Sequence, residues 1–248
     1  APWIAPYDPY KVDIEQHLLS PSFKHFLGTD PLGRDTLSRI IYASRTSLLV
    51  ALGAIGISVV VGQLLGLCAA YFGGITYTLI MRITDALMAS PMIINALLIA
   101  SVLGGGIKNI IIALGIGMIA PQSRLMCGLA LTIKQNDYIA AGRTMGASNL
   151  RMMLRHIYPN AFPSLMVMTT IGLGTTILAE AGLSFIGIGI TPPTASWGIM
   201  VNDGYKYLLK TPVLSFAPGI VIMLVVFAFN MVGDGLRDAL DPRLRGLL

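Results

Sequence analysis

SLLVALGAIGISVVVGQLLGLCAAYF, residues 47–72, contains no Asp, Glu, Lys or Arg, and the charge-free run extends from 46 to 81. A helix needs about 20 consecutive, mostly apolar residues to cross a bilayer core. Residues 86–107, 157–179, 181–202 and 211–233 are also free of those four residue types. Five spans are therefore predicted, at about 47–72, 85–103, 109–133, 162–186 and 212–232. Composition points the same way. The chain is 54% hydrophobic and 12% charged, with a mean hydropathy of +0.73, whereas a soluble domain carries roughly 25% charged residues. The expected fold class is all-α, a polytopic membrane helix bundle. Buried helices of a soluble protein do not explain so many charge-free runs of spanning length.

The net charge of +5 marks topology rather than nucleic acid. No basic patch is interleaved with aromatics, so no nucleic-acid partner is expected. Lys134, Arg143, Arg151 and Arg155 crowd one loop, and Arg237, Arg243 and Arg245 crowd the tail. Two predicted spans separate these regions, so both fall on one side, which the positive-inside rule makes cytoplasmic. Parity then places residues 1–36 and the loop of about 190–210 outside. Arg34, Arg39 and Arg45 oppose that rule, and the expectation is that they ride an interfacial helix and snorkel. The chain starts at Ala1 and shows no signal-peptide pattern. The expectation is that a sixth spanning helix precedes it and carries residues 1–36 across. The domain reading is an external segment 1–36, a transmembrane domain 37–235 with a cytoplasmic loop 134–159, and a cytoplasmic tail 236–248.

That loop contains DYIAAGRTMGASNLRMMLRHIYP, residues 137–159. Asn136 or Asp137 can cap a helix running to about Met145. Gly146 allows a left-handed turn. Ser148 can cap a second short helix over 149–157, with Leu150, Met153, Leu154 and Ile157 on one face at 3/4 spacing and Arg151 and Arg155 on another. Pro159 is expected to end it. Such a helix suits a groove on a partner protein or the headgroup layer of the membrane, and its spacing fits both.

Ala140, Ala141 and Gly142, then Gly146, then Pro159 thirteen residues later, together resemble the EAA loop of ABC-importer permeases. Ala140 and Gly142 stand where that pattern has Glu and its second Ala. LGTDPLGRD (27–35) with the following TLSRIIYASRTSL, ILAEAGLSFIGIG (177–189), and the tail GDGLRDALDPRLRG (233–246) are similar to the dipeptide, oligopeptide and nickel permeases. The likeness runs from about Pro6 to Arg245. It implies a cytoplasmic loop docking on an ATPase subunit through Asp137, Ala141, Gly142, Arg143, Gly146, Leu150, Arg151, Met153, Leu154, Arg155 and Pro159. It also implies a second homologous permease subunit, two ATP-binding subunits that use ATP and Mg, an external substrate-binding protein, and a multi-pass location in the inner membrane of a bacterial or archaeal cell. The chain has no G-x-x-x-x-G-K-[ST] phosphate loop, so it is expected to be no enzyme and to hold no cofactor itself.

Glu180 interrupts an otherwise charge-free stretch and is the candidate translocation-path residue. A carboxylate at such depth either lines a path or anchors helices. The short phrase Asp30-Pro31 suits a turn, and Asp35 can cap the helix after it. Gly62 and Gly66 form a G-x-x-x-G pair suited to close helix packing. Trp197, Tyr205 and Tyr207 suit an interfacial belt. Cys68 and Cys127 lie in predicted spans without CxxC spacing, and His17, His25 and His156 lie outside the spans. No metal site is expected. The lack of intramembrane His favours di- and oligopeptides as substrate, with nickel or a metal chelate as the alternative. A self-sufficient channel or secondary transporter would show inverted repeats and several deep charges, whereas Glu180 alone is read as deep.

Overall fold

The computed structural model describes residues 1–240; Arg243, Arg245 and the rest of 241–248 lie outside the described residues. Among these the architecture is helical: α1 (Thr36–Phe72), α2 (Gly74–Met88), α3 (Met92–Leu103), α4 (Ile107–Lys134), α5 (Asp137–Thr144), α6 (Asn149–Arg151), a π-helical turn (Met152–Ile157), α7 (Tyr158–Ile186), α8 (Trp197–Tyr205) and α9 (Val213–Leu240). Among the described residues four continuous helical stretches are long and apolar enough to cross a membrane: Thr36–Phe72, Ile107–Lys134, Asn149–Ile186 and Val213–Leu240. α2 and α3 pass the same test together but bend by 90° at their junction.

The described residues fall into two compact units. The first comprises 1–53, 97–113 and 174–227, and the second 54–96, 114–173 and 228–240. α1 leaves the first unit for the second, and α2 with α3 leads back to the first. α4, α7 and α9 then alternate in the same way. Counted as one span, the bent pair brings the candidate spans among the described residues to five, the number expected; counted apart, there are four.

The first unit begins with a folded N-terminal segment. Asp30 organises it: its Oδ1 accepts the N–H groups of Leu32 (2.9 Å) and Arg34 (3.0 Å), closing the expected turn at Asp30-Pro31. Its Oδ2 accepts Arg34 Nε at 2.7 Å and is also paired with Arg39. Arg34 and Arg39 are therefore buried inside the fold and do not snorkel. One carboxylate, that of Asp30, pairs with both. Arg45 alone is exposed. Asp35 caps α1 as expected, accepting the N–H (2.8 Å) and Oγ–H (2.7 Å) of Ser38.

With that cap in place and no proline to interrupt it, the expected interfacial helix and first span fuse into one helix of 37 residues. Trp197 is 1% exposed and donates its indole N–H to the Ile40 carbonyl at 3.1 Å. It is a core residue, not a belt residue: a buried carbonyl, rather than interfacial water, takes its N–H. Tyr205 is exposed.

In the second unit Leu67, Met126, Ile139, Met152, Ile157 and Leu165 form a closed core. Gly62 and Gly66 bring α1 against α4. A Cβ at Gly66 would stand 2.2 Å from the Ser123 carbonyl oxygen, and one at Gly62 would stand 2.7 Å from that of Ile119. Only hydrogen fits at that separation, as close packing in lipid requires.

Candidate coupling loop and intramembrane polar sites

α5 begins after Asn136, which occupies the cap position without a side-chain cap bond. Its amide instead donates to the Ile133 carbonyl at 2.9 Å. The helix stops at Met145, and Gly146 follows with φ +80°, the left-handed turn expected of glycine. Ser148 then caps α6, accepting the Arg151 N–H at 3.4 Å.

The sequence expectation fails beyond Arg151. α6 gives way to a π turn, and α7 follows without a break. Pro159 is the second residue of α7 and does not end the helix. A π turn shifts the hydrogen-bond register by one residue, so the proline, which has no N–H to donate, falls at the junction where the register changes.

The wider turn also breaks the 3/4 face. Met152, Met153 and Ile157 are buried in this chain's own core, whereas Leu150 (65%) and Leu154 (48%) remain exposed. Met153 therefore leaves the candidate docking surface. Asp137, Ala141, Arg143, Met145, Gly146, Arg151, Arg155 and Pro159 are exposed, and Gly142 is half-buried.

The mounting of this loop centres on Tyr71, a residue that reading the sequence had not singled out. Its hydroxyl donates to Asn149 Oδ1 at 2.8 Å, at the start of α6. Its ring lies under the Arg143 guanidinium of α5, 4.9 Å from the centroid. Lys134, the last residue of α4, donates to the carbonyls of Ala70 (3.0 Å) and Tyr71 (2.8 Å), satisfying acceptors at the C-terminal end of α1. One aromatic side chain thus ties α1 to both helices of the loop. A Tyr at the end of an apolar run was the available signal, but its partners lie far along the chain.

Glu180 is fully buried in the first unit. Oε2 accepts the Ser47 hydroxyl at 3.0 Å and Oε1 accepts the Ser184 hydroxyl at 2.7 Å. The network continues outward, with the Trp197 N–H donating to Ser47 Oγ (3.4 Å) and the Ile190 N–H to Ser184 Oγ (3.2 Å). The carboxyl group therefore joins α1, α7 and the start of α8 through hydroxyls.

A family model described as the binding-protein-dependent transport system inner membrane component matches residues 59–246. The chain belongs to that family. It is 39% identical over 242 residues to the nickel transport system permease protein NikC of Escherichia coli (strain K12), an alignment covering 98% of this chain and 87% of NikC. It is 43% identical over 247 residues to the glutathione transport system permease protein GsiD of Escherichia coli O6:K15:H31, covering 99% of this chain and 82% of GsiD. Among solved structures, an inward-facing MetNI methionine ABC transporter superimposes with a TM-score of 0.67 at 19% identity, covering 83% of this chain and 97% of that one. That likeness speaks for the fold. The chain is a multi-pass permease subunit of an ABC importer, a transport component.

This permease carries a further charged residue within a span, which the sequence reading passed over. Arg124 lies in α4, ten residues before its last residue Lys134, and forms an ion pair with Asp85 of α2. Glu180 is therefore not alone, although its two companions neutralise each other. A polar chain also crosses the second unit, where Tyr158 donates to Gln63 Oε1 (2.8 Å) and Gln63 Nε2 to Gln122 Oε1 (3.2 Å). Among the described residues no group of three or more His, Cys, Asp or Glu side chains is placed to hold a metal ion.

Proposed function

We propose that this permease imports small peptides, delivered by an external binding protein, and is driven by two separate ATP-binding subunits that consume ATP with Mg. A second homologous permease subunit completes the pore, and lipid covers the remaining surface. The membrane is the inner membrane of a bacterial cell, with the 134–159 loop inside and residues 1–36 outside. Peptide as the substrate class is supported by the 43% identity to a glutathione permease, glutathione being itself a small peptide. Nickel or a chelate is the second reading, supported by the 39% identity to NikC.

The observation that carries the coupling role is the division of labour within the loop. Met152, Met153 and Ile157 fix it to the core, while Met145 (86%), Leu150 and Leu154 stand exposed beside Arg143, Arg151 and Arg155. A rigidly mounted apolar knob with a basic rim suits a groove on a partner. Gly146 sets the angle between its two halves. In the complex purified with its ATPase subunits, Gly146→Val should insert normally yet lose substrate-stimulated ATP hydrolysis and uptake, since a β-branched residue does not adopt φ +80° without strain. Wild-type stimulation and uptake in that variant would sink the coupling role. Uptake of labelled dipeptide, glutathione and nickel chelate, compared side by side, tests the substrate class.

Glu180 fits an internal clamp better than a path residue. It has no exposed surface, and its partners are hydroxyls of its own chain.

A further inference from the structure

Two features of the second unit share one region and are both difficult to place against lipid. The first is the Asp85–Arg124 pair. The side chains are 48% and 51% exposed, although both helices belong to spans. At 1.5 Å per residue, Arg124 lies about 15 Å along α4 from Lys134, within the predicted span 109–133. Ionised side chains at that depth face protein or a water-filled cavity.

The second feature begins one turn after Asp85. α2 stops at Met88 and α3 starts at Met92, with a 90° bend between them. Ala89 and Pro91 are exposed. Polar side chains close part of the break: Asn95 Nδ2 donates to the Leu87 carbonyl at 2.8 Å, and Ser90 Oγ donates to Asn95 Oδ1 at 2.5 Å. Broken backbone within a membrane occurs where it is covered by protein or lines a water-filled cavity, and discontinuous helices mark substrate sites in transporters.

We propose that the face carrying Asp85, Arg124 and the break at 89–91 lines the aqueous translocation path, and that the ion pair is a station for the charged ends of a zwitterionic substrate. Water is the cover that fits a half-exposed pair, because it satisfies the remaining guanidinium N–H groups and carboxylate lone pairs. A dry seam with a second permease chain would strip that hydration from both ions. The face is also open one turn along α4, where a Cβ at Gly128 would meet nothing within 4 Å. A substrate carboxylate can replace Asp85 on Arg124 while a substrate ammonium takes Asp85, so the exchange conserves the number of ion pairs. The station therefore rests on the peptide-import reading; the wet face does not.

The test uses the complete transporter in inside-out vesicles, in a Cys68→Ala/Cys127→Ala background. Arg124→Cys and Ala89→Cys should each react with a charged, membrane-impermeant methanethiosulfonate. Protection is read at Gly128→Cys, one turn along α4, which keeps both Asp85 and Arg124 in place: a dipeptide at about ten times its Kd should slow modification there roughly tenfold, as occupancy requires. If Arg124→Cys fails to assemble, Gly128→Cys takes its place. No reaction at either position overturns the wet face, and so does an oxidative cross-link from 124 to the second permease chain. Reaction without protection by any substrate overturns the station. Protection by a nickel chelate and not by peptide overturns the peptide reading while the wet face stands, because labelling needs no transport.

Discussion

Glu180 and the Asp85–Arg124 pair are both charges placed in spans, and the chain handles them in opposite ways. Glu180 has no exposed surface and is held by hydroxyls from Ser47 and Ser184, and among the described residues no cation pairs with it. Asp85 and Arg124 keep about half their side-chain surface and hold each other. The first arrangement trades hydration for fixed hydrogen bonds and so rigidifies; every member must be satisfied, because an unmet buried polar group is expensive. The second keeps its hydration and remains exchangeable. An intramembrane charge therefore has no single meaning: burial and partner type separate a clamp from a station.

The largest effect should come from emptying the clamp. Glu180→Leu leaves the Ser47 and Ser184 hydroxyls without their acceptor, at about 1–3 kcal/mol for each buried group left unsatisfied. The expected outcome is a sharp fall in the yield of assembled complex and in its thermal midpoint in detergent. A wild-type midpoint would remove the clamp. Ser47→Ala should have a smaller effect of the same kind, about 1–2 kcal/mol, since Ser184 still serves the other oxygen. A Ser47→Ala effect on uptake without any change in midpoint would instead argue that Glu180 acts on substrate.

The spans were legible because charge gaps are a long-range average that no single contact alters. Their ends were less so. α1 begins at Thr36 rather than near 47 because the Asp35 cap and the buried Arg39–Asp30 pair extend it. The break before α3 lay inside a charge-free run, where Pro91 was its only mark. Gly146 was readable because the left-handed region is nearly private to glycine. The π turn was not. MMLRHI contains neither proline nor glycine, so nothing local distinguishes it from an α-helix, and the 3/4 spacing assigned Met153 to the wrong face. Arg124 was visible but unweighed, since its meaning depends on Asp85, 39 positions away. Ser47 lies 133 positions from Glu180, and no local pattern reports such a pair.

Tyr71 offers a third way for the chain to hold polar groups, partly buried and shared between elements. Tyr71→Phe removes the hydroxyl bond to Asn149 and keeps the ring under Arg143. About 0.5–1.5 kcal/mol of stability should be lost, the ordinary net worth of one hydrogen bond. The more telling readout is the ratio of ATP hydrolysed to substrate imported. If the hydroxyl fixes the loop to α1, that ratio should rise while basal ATPase activity and assembly persist. An unchanged ratio would reduce Tyr71 to packing.

The smallest expected stability effect belongs to Asp85→Asn, and its size decides what surrounds the pair. In water, an exposed ion pair contributes about 0–1 kcal/mol, and an Arg124 without Asp85 is simply hydrated. The thermal midpoint should then barely move, while uptake falls because the station has lost its carboxylate. Against lipid the same substitution would leave a lone guanidinium in hydrocarbon, at about 2.5–3.5 kcal/mol even on the insertion scale, and yield would collapse as expected for Glu180→Leu. The two sites would then behave alike, and the contrast between clamp and station would fail. A midpoint within about 1 kcal/mol of wild type, together with reduced uptake, keeps them apart, because only a hydrated charge can lose its partner at so little cost.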